Sequence, residues 1–405
     1  MTFNPCNPRN LRIFILTLSA GLIFAACDPL VSNIPSYIAS SSGVSPSGPY
    51  DPDLYSWRTA SWIPFTDPIT GFAWGRGREG EVYVAVSSSG VIGYSRDGDI
   101  WEGGEPAPKA APADPDPYNP FDSDPAKRIH FNAVAFGGGM FVAVGNEDRI
   151  AWSSNGRSWY GGTTGRFEPT DSANRDDRIN GIAYGIIDGI GYFVAAGNSK
   201  ANNSRIAYST NGANWDYVWV SKIENIQLRD IVYGDGKFFV AGDGGHTGYL
   251  NKLSNNPSLN VDWHHHQYTE APIQTGSISK ITYGRYGNDP GIAAVYNDGS
   301  GASRKIAVIK AAKFASSNGW DGDLDSGYFG NNTIRGIAYG GGNFVAAGTG
   351  SMIGFWPSAD SSNDNNRYWR ALSFYEFRSW EITALAALNG RFYAGTIGGK
   401  IGYSK

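Results

Sequence analysis

Two cysteines in 405 residues leave no material for a disulfide framework, and no paired-Cys metal spacing is present. Charge is also scarce, at 17 % Asp, Glu, Lys and Arg, with 33 basic against 37 acidic side chains. A net charge of −4 gives no basic footprint, so a nucleic-acid partner is not expected. Helical periodicity is nearly absent beyond the first residues. There is no P-loop, no dinucleotide fingerprint and no Gly-X-Ser-X-Gly elbow, which leaves the common nucleotide, dinucleotide and hydrolase signatures without a carrier.

What is abundant is glycine, 54 residues, together with 14 % aromatics. That balance fits many short strands joined by tight turns. The chain repeats itself. An apolar phrase ending in an aromatic and Gly is followed by "FVAAG" or a relative, with anchors at Trp74, Phe136, Tyr184, Tyr233, Tyr283, Tyr339 and Ala387. The anchors stand about 48 to about 62 residues apart, a period at which propellers and solenoids come first. Each unit holds four strand-like pieces linked by Gly-rich or Asn-Gly turns. Four antiparallel strands per repeat make a blade, so the expected fold is all-β, a seven-bladed β-propeller. The fifth unit, Ile278–Trp320, is the most diverged. The seventh stops at Lys405 after three strands. A segment from Tyr55 to Phe65, led by Trp57 or Trp62, is expected to complete it and close the ring.

A second phrase recurs as "IGYSRDGDIW", "IAWSSNGRSW" and "IAYSTNGANW". Its Ser95, Asp97, Gly98 and Trp101, repeated as Ser153, Asn155, Gly156, Trp159 and as Ser209, Asn211, Gly212, Trp215, resemble the Asp-box (BNR) repeat of sialidase-like propellers. Degenerate copies end at Trp263, Trp320 and Trp369. The loop is one residue shorter than the usual box, and Asn often replaces Asp. The resemblance covers residues 54–405. It implies a turn between strands three and four, opposite any active site, in which a short side chain accepts turn N–H groups while the Trp packs between blades.

The N-terminus reads differently. Arg9 and Arg12 precede an apolar run from Ile13 to Ala26, too short for a comfortable membrane span. Ala25 and Ala26 before Cys27 resemble a bacterial lipobox, with Phe24 where Leu is usual. That resemblance implies a signal peptide over 1–26, lipidation of Cys27 and loss of Cys6. The mature chain would carry 31 basic and 37 acidic side chains, −6. Residues 27–53, rich in Ser, Pro and Gly, read as a tether between lipid and propeller.

Candidate function lies where the repeat is least regular. The long segments Glu102–Arg128, Gly161–Arg178, Asn198–Ser204 and Tyr296–Lys305 all belong to 2–3 loops or blade connections, which share one face. On that face the first strand of each unit carries a polar residue: Thr70, Asn132, Asn180, Arg229, Ser279, Arg335 and Thr383. These are expected to ring the mouth of the central channel. Asn132, Asn180, Arg229, Arg335 and the nearby Arg178 are the candidate ligand-binding residues for a polar or anionic ligand. His264, His265 and His266 alternate faces if they lie on one strand, so they make a poor metal site. Asp114, Asp116, Asp122 and Asp124 lie in a Pro-rich loop unlike an EF-hand, so no metal and no cofactor is expected.

The expected protein is an exported, monomeric lipoprotein of a bacterial cell envelope, held to a membrane by its lipid and binding a protein or glycan through its loop-rich face. A sialidase-like glycoside hydrolase and an envelope-assembly scaffold are the alternatives. The hydrolase would need an Arg triad, such as Arg178, Arg229 and Arg335, beside an acid and a Tyr nucleophile.

Overall fold

The computed structural model describes residues 56–106, 130–162, 178–198, 204–218, 226–253, 263–269, 272–273, 276–297, 305–316, 320, 326–357, 369–371 and 380–404. The expected signal peptide, Cys27, the tether and the Asp114–Asp124 loop lie outside them. Contacts divide the chain into Met1–Ser41 and Ser42–Lys405, and all described residues belong to the second unit.

Seven antiparallel sheets follow one another along the chain. Their first strands are Ile69–Gly77, Phe131–Gly137, Arg178–Ile187, Leu228–Gly234, Ile278–Tyr286, Ile334–Gly340 and Ile382–Leu388. Each first strand touches the next, and the seventh touches the first, which makes the sheets a closed seven-bladed β-propeller. No described helix is long and apolar enough to cross a membrane.

Closure uses the N-terminal segment. Trp57–Thr59 pairs antiparallel with the last strand, Ile401–Ser404, with Trp57 opposite Ser404. Of the two tryptophans expected to lead this strand, Trp57 is buried and does so. Trp62 is 56 % exposed and bridges Ile100 of blade one instead. Joining the ends of the chain in one sheet covers two edges that would otherwise be open.

Two blades depart from four strands. Blade two gains Glu105–Pro106 as a parallel fifth strand beside Ser158–Gly162, so the chain leaving blade one is strapped to its neighbour. Among the described residues blade five has three strands, and its Lys305–Lys310 runs into a short 3-10 turn. Trp320, expected to end a box there, packs edge-on against Phe314 and Tyr268 instead.

The blades stack through a glycine staircase. The Gly after each anchor lies under the anchor aromatic of the next blade. A Cβ built on Gly75, Gly137, Gly185, Gly234 or Gly284 would sit 1.9–2.3 Å from the ring of Phe136, Tyr184, Tyr233, Tyr283 or Tyr339. Only a bare backbone permits this approach. The staircase ends at Gly340, which faces the smaller Ala387. Between the staircase and the turns run the second strands, such as Val82–Val86 and Phe238–Ala241. They are buried on both faces because each sheet is sandwiched between two others.

The recurring turn has one hydrogen-bond set, made three times. Ser95, Ser153 and Ser209 accept the N–H of Gly98, Gly156 and Gly212 at 2.8–2.9 Å. One oxygen of Asp97, Asn155 or Asn211 accepts the next two turn N–H groups. The buried Trp101, Trp159 and Trp215 donate from Nε1 to the carbonyl of the same Gly. The Ser hydroxyl, one Asp or Asn oxygen and the Trp N–H of the motif are therefore committed to the turn. The 1–2 turn of blade one meets the same face, with Arg78 N–H bonded to Ser154 and Asn155 bonded to Glu79.

Candidate functional site

The opposite face carries the candidate ring. All seven ring residues are the extra residue of a β-bulge: pairing skips from Ile69 to Gly71, Phe131 to Ala133, Ile179 to Gly181, Leu228 to Asp230, Ile278 to Lys280, Ile334 to Gly336 and Ile382 to Ala384. A bulge leaves its extra residue outside the ladder and re-aims its side chain. That is why a polar residue is tolerated here inside apolar strands.

Four of the seven act as clasps between blades. Thr70 donates to the Phe131 carbonyl at 2.9 Å, Asn132 to Ile179 at 2.9 Å and Asn180 to Leu228 at 2.7 Å. Thr383 donates to Ile69 at 2.7 Å, joining blade seven to blade one. Asn132 and Asn180 also donate to Asn146 in the adjoining 2–3 loop and to Asn198 at the end of the second strand. Their amide hydrogens are thus bound inside the protein, so their part in holding a ligand is limited to their oxygens.

The clasp is interrupted over blades four, five and six. Arg229 turns to Asp243 in its own 2–3 turn, with Nε and Nη2 reaching the two carboxylate oxygens at 2.8 and 2.9 Å. Ser279 donates within its own blade, to Val295 at 3.3 Å. Arg335 is exposed and makes no hydrogen bond or ion pair with the described residues. Arg178 is also exposed, at the start of blade three, where its backbone bridges Asn146.

The next position along the strand explains how junction four to five holds without a clasp. It is Gly or Ala in five blades, because it abuts the following first strand, but Asp230 in blade four and Lys280 in blade five. Asp230, with a side chain 14 % exposed, accepts the N–H of Ile231 and, across the junction, of Ile281 at 2.9 Å. Burial raises its carboxyl pKa above the ordinary value, opposed by the Lys280 ammonium 3.9 Å away and by these N–H groups. Sequence reasoning missed Asp230 and Lys280, although two charges in a Gly/Ala column were there to be read.

At junctions five to six and six to seven an open cleft of about 260 Å³ lies at the mouth, lined by Ser279, Lys280, Thr333, Ile334, Arg335 and Thr383. Of the five candidate residues, only Arg335 lines it. The lining carries two cations and neither a carboxylate nor a tyrosine. The long segments expected to elaborate this face, 107–129, 163–177, 199–203 and 298–304, lie outside the described residues.

Away from the mouth, the three consecutive histidines do alternate faces, and a fourth joins them. His265 packs against His246 of the neighbouring strand with ring nitrogens 2.8 Å apart, while His264 stacks on Tyr249 and His266 lies edge-on to Tyr268. Among the described residues no three His, Cys, Asp or Glu side chains converge as a metal site.

No protein-family model matches this chain, and no curated protein matches it. Solved structures do. YCF48 bound to D1 peptide is 14 % identical, with TM-score 0.56 over 88 % of this chain and 96 % of that one. YCF48 from Cyanidioschyzon merolae is 15 % identical, with TM-score 0.58 over 86 % of this chain and 98 % of that one. The WD40 propeller domain of Doa1 is 10 % identical, with TM-score 0.52 over 86 % and 96 %. At these identities the likeness is one of fold: the chain is similar to propellers along nearly their whole length.

Proposed function

We propose that this chain is a protein-binding propeller module that engages its partner at the channel mouth over blades five to seven. The observation that carries this reading is the interrupted clasp: four bulge residues are committed to the next blade, while Arg335 stands free above an open polar cleft. A solvated lysine or arginine on a convex surface would mean little. Here the cation sits at the one irregular arc of an otherwise repeating ring, on the face where the first strands begin. A structural neighbour has been solved with a peptide bound, which favours a protein over a glycan as partner.

A lining with two cations and no carboxylate or tyrosine suits holding a ligand better than cleaving a glycosidic bond. The Asp-box likeness enters as turn chemistry on the far face, where the Ser, Asp or Asn and Trp groups are all committed.

The propeller is proposed to work as a lipid-anchored lipoprotein of a bacterial envelope, with Cys27 as the lipidated residue. Cys27→Ser is expected to move the protein from the membrane to the soluble fraction of an expressing bacterium. Unchanged membrane partition would exclude the anchor. The binding face is tested by photo-crosslinking amino acids placed singly at Ser279 and at Asn155 on the far face. Partner-specific adducts from Ser279 and none from Asn155 are expected; the reverse would exclude the mouth.

A further inference from the structure

Blade four contains an internal model of what the blade-six cleft lacks. Arg229 and Arg335 occupy the same bulge position. The 2–3 turns beside them are built alike: Asp243–Gly245 and Thr349–Ser351 are both three-residue turns with a central Gly at φ 65° and 68°. The first residue of each turn donates its N–H to the residue before the first strand, Asp243 to Gln227 at 3.0 Å and Thr349 to Thr333 at 2.9 Å. The backbone frame is shared, but Asp243, which holds Arg229 with both oxygens, is replaced by Thr349. Arg335 is therefore an arginine presented in a carboxylate-binding frame with its carboxylate missing.

The rest of the lining narrows the ligand. The hydroxyl hydrogens of Ser279 and Thr383 are committed to the Val295 and Ile69 carbonyls, which leaves their oxygens as acceptors toward the cleft. Arg335 and Lys280 supply positive donors. A sulfate or a phosphodiester would use the cations but carries no donor for those acceptors. A carboxylate carried on a peptide brings both an anion and N–H donors. We propose that the cleft binds a peptide carboxylate, from an acidic side chain or a C-terminus, with Arg335 taking it as Arg229 takes Asp243. This rests on the reading of the mouth as the binding face and names the chemistry recognised there.

The test uses the full-length chain and fluorescent pentapeptides followed by anisotropy: one set blocked at both ends with a central Glu, the same set with Gln, and a neutral set with a free C-terminal carboxylate. An oligouronide competes as a non-peptide carboxylate. The Glu set, the free C-terminus set or both should bind, which identifies the source, and the Gln set should be at least about tenfold weaker. Arg335→Gln and Thr349→Asp, the latter supplying the missing acid from within, should each lose at least about tenfold, while Arg96→Gln in a far-face turn should bind as the native chain does. Equal binding of the Gln and Glu sets overturns the carboxylate assignment and leaves the mouth reading standing. Undiminished binding by Thr349→Asp also overturns it, as does preference for the oligouronide. No saturable binding by any set overturns this proposal and the mouth reading together.

Discussion

Thr383 and Ile69 are 314 residues apart in sequence and joined by a 2.7 Å hydrogen bond that closes the innermost ring of the propeller. The same hydroxyl is 3.3 Å from the Gly395 carbonyl of its own blade. Thr383→Val keeps the shape and removes the donor, leaving a buried carbonyl without its partner. The expected cost is about 1–3 kcal/mol of unfolding free energy, read by denaturant titration. A value near zero would mean that the clasp is not a stabilising contact.

The glycine staircase makes a non-additive prediction. Gly185→Ala places a methyl 2.0 Å from the Tyr233 ring, so the blades must separate or the ring must move, at roughly 1–3 kcal/mol. In Tyr233→Ala the ring is gone, and adding Gly185→Ala should then cost much less than it does in the native chain. A double-mutant cycle measures this, and additive costs would contradict the contact.

The three matching turns differ in one respect: only Asp97 ionises. Burial pushes its carboxyl pKa up, but hydrogen bonds from the Ile100 and Asp99 N–H groups and from Ser95 outweigh it and hold it below the ordinary value. A depressed folded pKa gives stability that is present above the unfolded carboxyl pKa and is lost as pH falls through the folded one. Asp97→Asn, which copies the Asn155 and Asn211 turns, should flatten that acid limb of a stability–pH profile. An unchanged limb would locate acid sensitivity elsewhere.

The histidines of blade four act in a milder range. Burial lowers the pKa of His246 and of His266, so their neutral forms are favoured by folding. Their contribution is complete above the ordinary histidine pKa and falls away as pH drops through the lowered values. Protonating both His246 and His265, whose ring nitrogens lie 2.8 Å apart, would also set two cations against each other. His246→Asn should reduce the loss of stability between neutral and mildly acidic pH, measured by thermal unfolding across that range.

The architecture was legible because its signals are local. A period near 50, Gly-bearing turns and a Trp after each Ser-X-Asn/Asp-Gly all act within a few residues of themselves. Closure was legible as a missing strand, but the choice of Trp57 depends on register. Trp62 was drawn away by Ile100, a contact no short window contains. The ring of polar residues was visible as a column, but their employment was not. Whether Asn180 is free depends on Leu228, one blade away, and whether Arg229 is free depends on Asp243 in a turn that Arg335 meets with a threonine. Arg335 and Arg229 look alike in the sequence because their difference is supplied by neighbours that the fold brings in.

The most direct test of the mouth as the binding face is hydrogen–deuterium exchange of the full-length chain with and without a bound acidic peptide. Slower exchange is expected at 276–280, 333–335 and 382–383, with the Ser95–Trp101 and Ser153–Trp159 turns unchanged. Protection confined to those turns, with none at the mouth, would contradict it.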